Sequence, residues 1–246
     1  MIEGFRLGVF SRGTTLWDGV DLAFGDGSAW VVLGPASSGK TILLSVLRGE
    51  RQPDAGDVVV SGESLFRGSR SAARSFRASC GHVPDRFADA PGQTVGDLFR
   101  LSALAGGGMK GKELRERQEG LLSMVGLAAA GGWKLATLST SERVRAALAA
   151  ELLRGPRFLF CDGVVAGAGN THREMLAGLF RALAREGNTI ILAERQMPER
   201  WATAAGEGAP AGPFRVYRIP VPAVSGGGAG AGPGPEDAPD RKEALT

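Results

Sequence analysis

Residues Gly34-Pro35-Ala36-Ser37-Ser38-Gly39-Lys40-Thr41 fit the pattern G-x-x-x-x-G-K-[ST], and no other stretch restricts the fold so tightly. The flanks restrict it further. The run Trp30-Val31-Val32-Leu33 is apolar throughout, as a strand buried on both faces must be. The segment Thr41-Ile42-Leu43-Leu44-Ser45-Val46-Leu47 that leaves the motif reads as an apolar helix. In a strand–loop–helix setting, glycines let the backbone curl so that successive N–H groups point inward. The helix N-terminus adds partial positive charge. Such a loop cradles phosphates, with Lys40 reaching the β and γ groups of a nucleotide and the Thr41 hydroxyl ligating Mg²⁺. A glycine-rich turn at a helix start is the bland alternative, and the strand, full motif and helix together weigh against it.

The rest of the chain alternates short apolar runs with helical stretches, the pattern of an α/β domain. Strands are expected at 4–9, 28–33, 57–61, 79–83, 157–161, 188–193 and 214–219. Helices are expected at about 40–48, 95–104, 112–125, 141–154 and 172–186. The segment of about 90–155 is mostly helical and interrupts the alternation, so it reads as an inserted helical subdomain. From residue 224 the chain turns Gly/Ala/Pro-rich and then charged, a composition unable to bury enough apolar surface to order itself. The expected organisation is therefore one domain over 1–223 and a disordered tail over 224–246.

Phe158-Leu159-Phe160-Cys161-Asp162 is a second buried strand that ends in an acid. Placed after the phosphate loop, Asp162 is positioned to hold Mg²⁺ through water.

Composition removes other classes. Of 246 residues, 43% are hydrophobic, enough for a sizeable core, and the net charge is only +3, which speaks against a nucleic-acid-binding stripe. Cys80 and Cys161 have no metal-site spacing, and reduced cytosolic thiols are the simpler reading. The first residues lack a basic segment followed by an apolar run, so no signal peptide is expected. No stretch approaches the roughly 18 to 20 apolar residues that span a bilayer, so any membrane connection is expected to run through a partner.

In order and spacing these landmarks resemble the nucleotide-binding domain of ATP-binding cassette (ABC) transporters over about residues 3–220. Leu16-Trp17-Asp18-Gly19-Val20-Asp21-Leu22 is similar to the family's strand ahead of the phosphate loop. Gly49 to Asp57 resembles its turn after the first helix, and Gln93-Thr94-Val95-Gly96-Asp97-Leu98 its lead-in to the helical subdomain. The resemblance implies a P-loop NTPase fold of ABC type: a mostly parallel sheet, an N-terminal antiparallel β part and an inserted helical subdomain. It implies ATP and Mg²⁺ as cofactors and places Phe10 where the family stacks an aromatic ring on adenine. An ordinary core aromatic is the competing reading of Phe10.

The resemblance also marks departures. Where the family has a Gln after the strand ending Val83-Pro84, this chain has Asp85, which cannot donate a hydrogen bond to an attacking water. The family's Leu-Ser-Gly-Gly-Gln signature, which approaches the γ-phosphate of the opposite subunit's ATP, is here Leu138-Ser139-Thr140-Ser141-Glu142. Side chains replace both glycines, and Glu142 adds negative charge. Ser139 with Glu142 three residues on also reads as a capping box for the helix that follows. The water-polarising Glu after Asp162 is Gly163, and the loop Val164 to Gly169 does not match the family's Pro-Thr-Ser-x-Leu-Asp. At the switch His position stand Glu194 and Arg195, and Arg195 is a cation able to pair with a γ-phosphate or a plain solvated surface group.

Groups that hold nucleotide therefore persist while those that hydrolyse it have changed. The expected function is an ATP-binding subunit of an ABC-type membrane transport or remodelling complex, with hydrolysis weak or absent. Its partners would be a transmembrane permease and a second ATPase subunit, identical or different, with no nucleic acid. Its place would be the cytoplasmic membrane, held there by the permease. The alternative is a non-transport module in which ATP occupancy sets a docking surface. A P-loop kinase or GTPase is disfavoured, since no guanine-reading motif is present.

Overall fold

The structure is a computed structural model that describes residues 1–11, 14–85, 91–197, 201 and 214–220. The expected tail over 224–246 lies outside the described residues. Two sheets and three apolar clusters organise the described residues.

The first sheet is antiparallel. Its strands are β1 (Ile2–Ser11), β2 (Thr14–Phe24), β4 (Ala55–Val60) and the short β5 (Glu63–Ser64), in the order β2-β1-β4-β5. Alternating burial puts Val20, Leu22 and Phe24 of β2 on the inner face, as period-two patterning requires, and Trp17 joins them across the register shift at Asp18-Gly19. The second sheet is parallel, ordered β6 (Cys80–Val83), β7 (Phe158–Asp162), β8 (Thr189–Glu194), β3 (Ala29–Leu33) and β9 (Arg215–Arg218). Every residue of β7 and β8 is buried, which explains why both read as unbroken apolar runs in the sequence.

Helices cover both faces of the parallel sheet. On one side α1 (Lys40–Leu47) lies between the two sheets, with Leu43, Leu44, Val46 and Leu47 in a core shared with β1, β2 and the parallel strands. The nine-residue α2 (Arg70–Ala78) joins this core through Ala73 and Phe76, and the Phe76 ring meets Phe158 edge-on with the ring centroids 5.2 Å apart. On the opposite side α7 (Asn170–Arg185) buries Leu176, Ala177 and Phe180, and the four-residue α6 (Val164–Gly167) follows β7 directly.

Between β6 and β7 in the chain stand α3 (Val95–Ala105), α4 (Gly111–Met124) and α5 (Thr140–Leu152), which pack around their own cluster of Phe99, Leu122, Leu135 and Ala146. Thr94 and Asp97 form a reciprocal capping box at the start of α3. Buried Arg145 of α5 donates to the Val125 and Gly126 carbonyls at 2.7 and 3.2 Å, meeting the carbonyls at the C-terminal end of α4.

Four elements fall outside the pattern-based expectation: β2, which only the resemblance indicated, β5, α2 and α6. The strand expected at 4–9 extends from Ile2 to Ser11, paired along its length with β2 and β4. No helix among the described residues is long and apolar enough to cross a membrane.

Candidate functional site

The loop after β3 and the acid ending β7 meet above the C-terminal edge of the parallel sheet, with β8 between the two strands. This is the place where open α/β sheets bind ligands. A cavity of ≈ 580 Å³ opens there, within the usual size of a ligand pocket. Its wall includes Ala36, Ser37, Gly39, Lys40, Thr41 and Ile42 from the loop and α1. Across from them stand Asp85, Asp162, Gly163, Ala166, Glu194 and Arg195.

The loop's curl rests on two left-handed residues, Ser37 at φ +63 and Gly39 at φ +86. A Cβ on Gly39 would stand 2.6 Å from Trp17 Nε1, so glycine is required there by both conformation and space. Ser38 N–H donates to the Pro35 carbonyl at 3.4 Å, and the Gly39 carbonyl receives the Leu43 N–H at 2.8 Å, the first turn of α1. Gly34 N–H is held by the Glu194 carbonyl at 3.3 Å. Lys40 Nζ folds back on the loop and donates to the Gly34 and Pro35 carbonyls at 2.8 and 2.6 Å and to Ser38 Oγ at 3.4 Å. Burial lowers its pKa, opposed by the nearby Asp162 charge.

Thr41 Oγ1 donates to Asp162 Oδ2 at 2.5 Å, so the two groups assigned to Mg²⁺ from sequence, 121 positions apart, are in contact. Burial raises the Asp162 pKa, the Thr41 hydrogen bond lowers it, and the nearby Asp85 charge raises it. A hydroxyl and a carboxylate side by side form a hard oxygen donor set that suits Mg²⁺ once phosphate oxygens and water complete it. No cluster of three or more His, Cys, Asp or Glu side chains able to hold a metal by themselves occurs among the described residues.

The departures from the family pattern have definite positions. Gly163 takes φ +64 and ψ 16, and a Cβ there would stand 3.4 Å from Asp85 Cβ. A side chain at 163 therefore needs a backbone conformation that non-glycine residues rarely adopt. Exposed Asp85 and Arg195 both line the cavity. Phe10 does not. It sits at the end of β1, 44% exposed, where pairing with β2 shifts register, and it is absent from the cavity wall. The core-aromatic reading of Phe10 is thereby corrected. Leu16 of β2 occupies the wall on that side.

Ser139 and Glu142 form the expected capping box. Ser139 Oγ accepts the Glu142 N–H at 3.3 Å, and Glu142 Oε2 accepts the Ser139 N–H at 2.9 Å. These hydrogen bonds hold the Glu142 carboxyl below its usual range. Thr140 is the exposed first residue of α5, while Ser141 turns inward and donates to the Ala168 carbonyl at 2.6 Å.

Glu194 has a larger part than its sequence position suggested. Its side chain is 3% exposed, and its carboxylate accepts the Val165 N–H at 2.7 Å and the Ala166 N–H at 3.4 Å. Burial pushes it up to about 7 against the pull of those two hydrogen bonds. A charged residue closing the apolar run Ile190 to Ala193 was the available signal, since such a group must find partners. Those partners come from α6, which sequence reading did not find.

The profile of the ABC transporter family matches residues 17–166. A methionine import ATP-binding protein of Caulobacter vibrioides is 30% identical over 180 residues, covering 73% of this chain and 54% of that protein. A macrolide export ATP-binding/permease protein of Marinobacter nauticus is 30% identical over 175 residues, covering 71% of this chain and 27% of that one. The chain thus spans about half the length of the first of these curated relatives and about a quarter of the second. Among solved structures, a dimeric bacterial ABC transporter cassette superposes with a TM-score of 0.71 at 22% identity, covering 80% of this chain and 88% of that one. At that identity the superposition speaks to fold alone.

Proposed function

This chain belongs to the ABC transporter family, and we propose that it is an ATP-binding subunit that holds Mg-ATP while hydrolysing it weakly or not at all. The observation that carries this reading is the contrast within one cavity. The loop, Lys40, Thr41 and Asp162 converge as a nucleotide holder, whereas the residue after Asp162 is a left-handed glycine with no side chain to polarise a water. In this reading the amides of Gly39, Lys40 and Thr41 at the start of α1 and the Lys40 ammonium grip the β and γ phosphates, and Lys40 exchanges its carbonyl partners for phosphate oxygens. Thr41, and Asp162 through water, would hold Mg²⁺, which would supply charge neutralisation to the phosphates. Arg195 offers a second cation to the γ group, and exposed Phe10, outside the cavity wall, is the ring offered to the adenine.

Loss of a general base alone is typically worth about 10²–10⁴ in rate, so turnover far below that of an ordinary transport ATPase is expected. The Ser139–Glu142 box also bears on partnership. With the Glu142 carboxylate closing the start of α5, this chain offers an anionic, side-chain-filled loop where the family offers glycines to the opposite subunit's ATP. A heterodimer with one weakened site fits this better than a homodimer with two working ones.

A permease would place the chain on the cytoplasmic face of the membrane. The groove fitted to it is a second cavity of ≈ 400 Å³ lined by Pro84, Leu98, Leu101 and Ala147, with His82 and Arg154 among its polar groups. Exposed Leu101 and Leu104 on α3 extend its apolar surface.

The test is to titrate purified protein with ATP and measure turnover. Micromolar-range binding that depends on Lys40, with phosphate release near background, is the expected result. Turnover at the ordinary rate of transport ATPases, or binding indifferent to Lys40→Ala, would reject the proposal.

A further inference from the structure

A helix of four residues cannot hold its shape through its own hydrogen bonds, and the N-cap of α6, Gly163, supplies no side-chain acceptor. The first amides of α6 are met from outside, by the Glu194 carboxylate at 2.7 and 3.4 Å. The backbone carbonyl of the same Glu194 holds Gly34, the first residue of the phosphate loop. At the other end of α6 the Ala168 carbonyl receives Ser141 Oγ at 2.6 Å, from the first turn of α5. The two elements also touch sterically, since a Cβ on Gly167 would stand 3.0 Å from Val144 Cγ2. An unbroken chain of contacts thus runs from loop to Glu194 to α6 to Ser141, ending at the turn closed by the Ser139–Glu142 box.

We propose that α6 is a strut between the nucleotide cradle and the first turn of α5, with Glu194 and Ser141 as the positioning residues that fasten its two ends. Ser141 stands where the family resemblance places a glycine, and its hydroxyl makes a bond that no glycine can make. The changed residues are thereby joined into a connection within one chain. Ordering of the cradle by nucleotide is felt at Gly34, passes to Glu194 through their backbone hydrogen bond, and is carried by α6 to the start of α5. The strut itself rests on contacts alone, and its response to nucleotide rests on the reading of the cavity as an ATP site.

Amide hydrogen exchange on the full chain tests this, comparing native protein with Glu194→Gln, Ser141→Ala and Ser141→Thr, each without and with Mg-ATP. Without nucleotide, Glu194→Gln speeds exchange in α6 and also in Thr140 to Arg143, by about three- to tenfold, the worth of one net hydrogen bond. Ser141→Ala speeds α6 in turn, while Ser141→Thr, which keeps the hydroxyl, retains native rates. Mg-ATP slows both segments together in the native protein. Acceleration of α6 by Glu194→Gln with Thr140 to Arg143 left at native rates would overturn the strut, as would Ser141→Thr behaving like Ser141→Ala. If Glu194→Gln proves poorly folded, the Ser141 pair decides. Failure of the native protein to bind ATP would sink the nucleotide reading separately, because the nucleotide-free arms judge the strut without it.

Discussion

Replacing Glu194 with Gln removes a buried titrating group from the protein, and its effect should depend on pH in a calculable way. In the folded chain burial pushes the Glu194 carboxyl up to about 7, and unfolding returns it to its ordinary 4.5. The folded state therefore binds the proton more tightly. The resulting stability is fully present below 4.5 and is lost as pH rises through 7. One pKa unit corresponds to about 1.4 kcal/mol, so going from pH 5 to pH 8 should cost native protein about 2 to 3 kcal/mol through this group. No discount for solvent screening is due, since the side chain is 3% exposed. His82 acts in the opposite sense. Burial, with help from the Arg48 charge, pulls its imidazole from 6.5 down to about 4, so its contribution is present above 6.5 and is lost as pH falls through 4. The two windows overlap between pH 4.5 and 6.5 with opposite slopes, and in native protein they partly cancel. Subtracting native from Glu194→Gln stabilities removes His82 from the comparison. Urea unfolding at pH 5, 6, 7 and 8 should show Glu194→Gln gaining about 2 to 3 kcal/mol relative to native protein over that range. A difference constant within about 0.5 kcal/mol, ordinary additivity error, would refute the reasoning.

Three further outcomes follow from the geometry. Lys40→Ala removes an ammonium whose hydrogen bonds to phosphate are worth about 1.5–3 kcal/mol, so ATP affinity by calorimetry should fall by roughly tenfold or more. Gly163→Glu adds a carboxylate where the family has one but forces it onto a left-handed backbone, at a cost of about 1–2 kcal/mol. Its melting temperature should drop, and a phosphate-release assay should show little recovery of turnover. Ser139→Ala breaks the box at the start of α5 and should lower stability by about 1 kcal/mol in chemical denaturation.

What the sequence disclosed and what it withheld divide along physical lines. The Trp30–Leu33 run, the loop and α1 are fixed by local chemistry, so reading them requires no knowledge of neighbours. Asp162 was legible because a fully buried strand that ends in an acid is conspicuous. The Ser139–Glu142 box depends on residues three apart and was visible for the same reason. By contrast α2 buries only Ala73 and Phe76, too few apolar positions to stand out in Arg70–Ala78. Helix α6 is a single turn in a glycine-containing stretch and exists through acceptors supplied from β8 and donors from α5. Its detection therefore needed the tertiary fold, as did the part played by Glu194. Phe10 shows a third limit. A ring near a strand end reads equally as core or as ligand platform, and only the folded chain, with Val9 buried and Phe10 44% exposed, settles that it faces out of the core.

The position of β8 between β7 and β3 has one more consequence. Strands lie about 4.8 Å apart, so the bases of the loop and of Asp162 stand nearly 10 Å from each other, and only the lean of α1 across the intervening strand closes that gap to a hydroxyl–carboxylate contact. The sheet acts as a ruler whose graduations are its registers. A slip of one residue along β8 would carry either flank about 3.3 Å out of alignment, farther than any hydrogen bond can stretch. Mutations deep in the Ile190–Ala193 run should for that reason be among the most damaging to the Thr41–Asp162 contact.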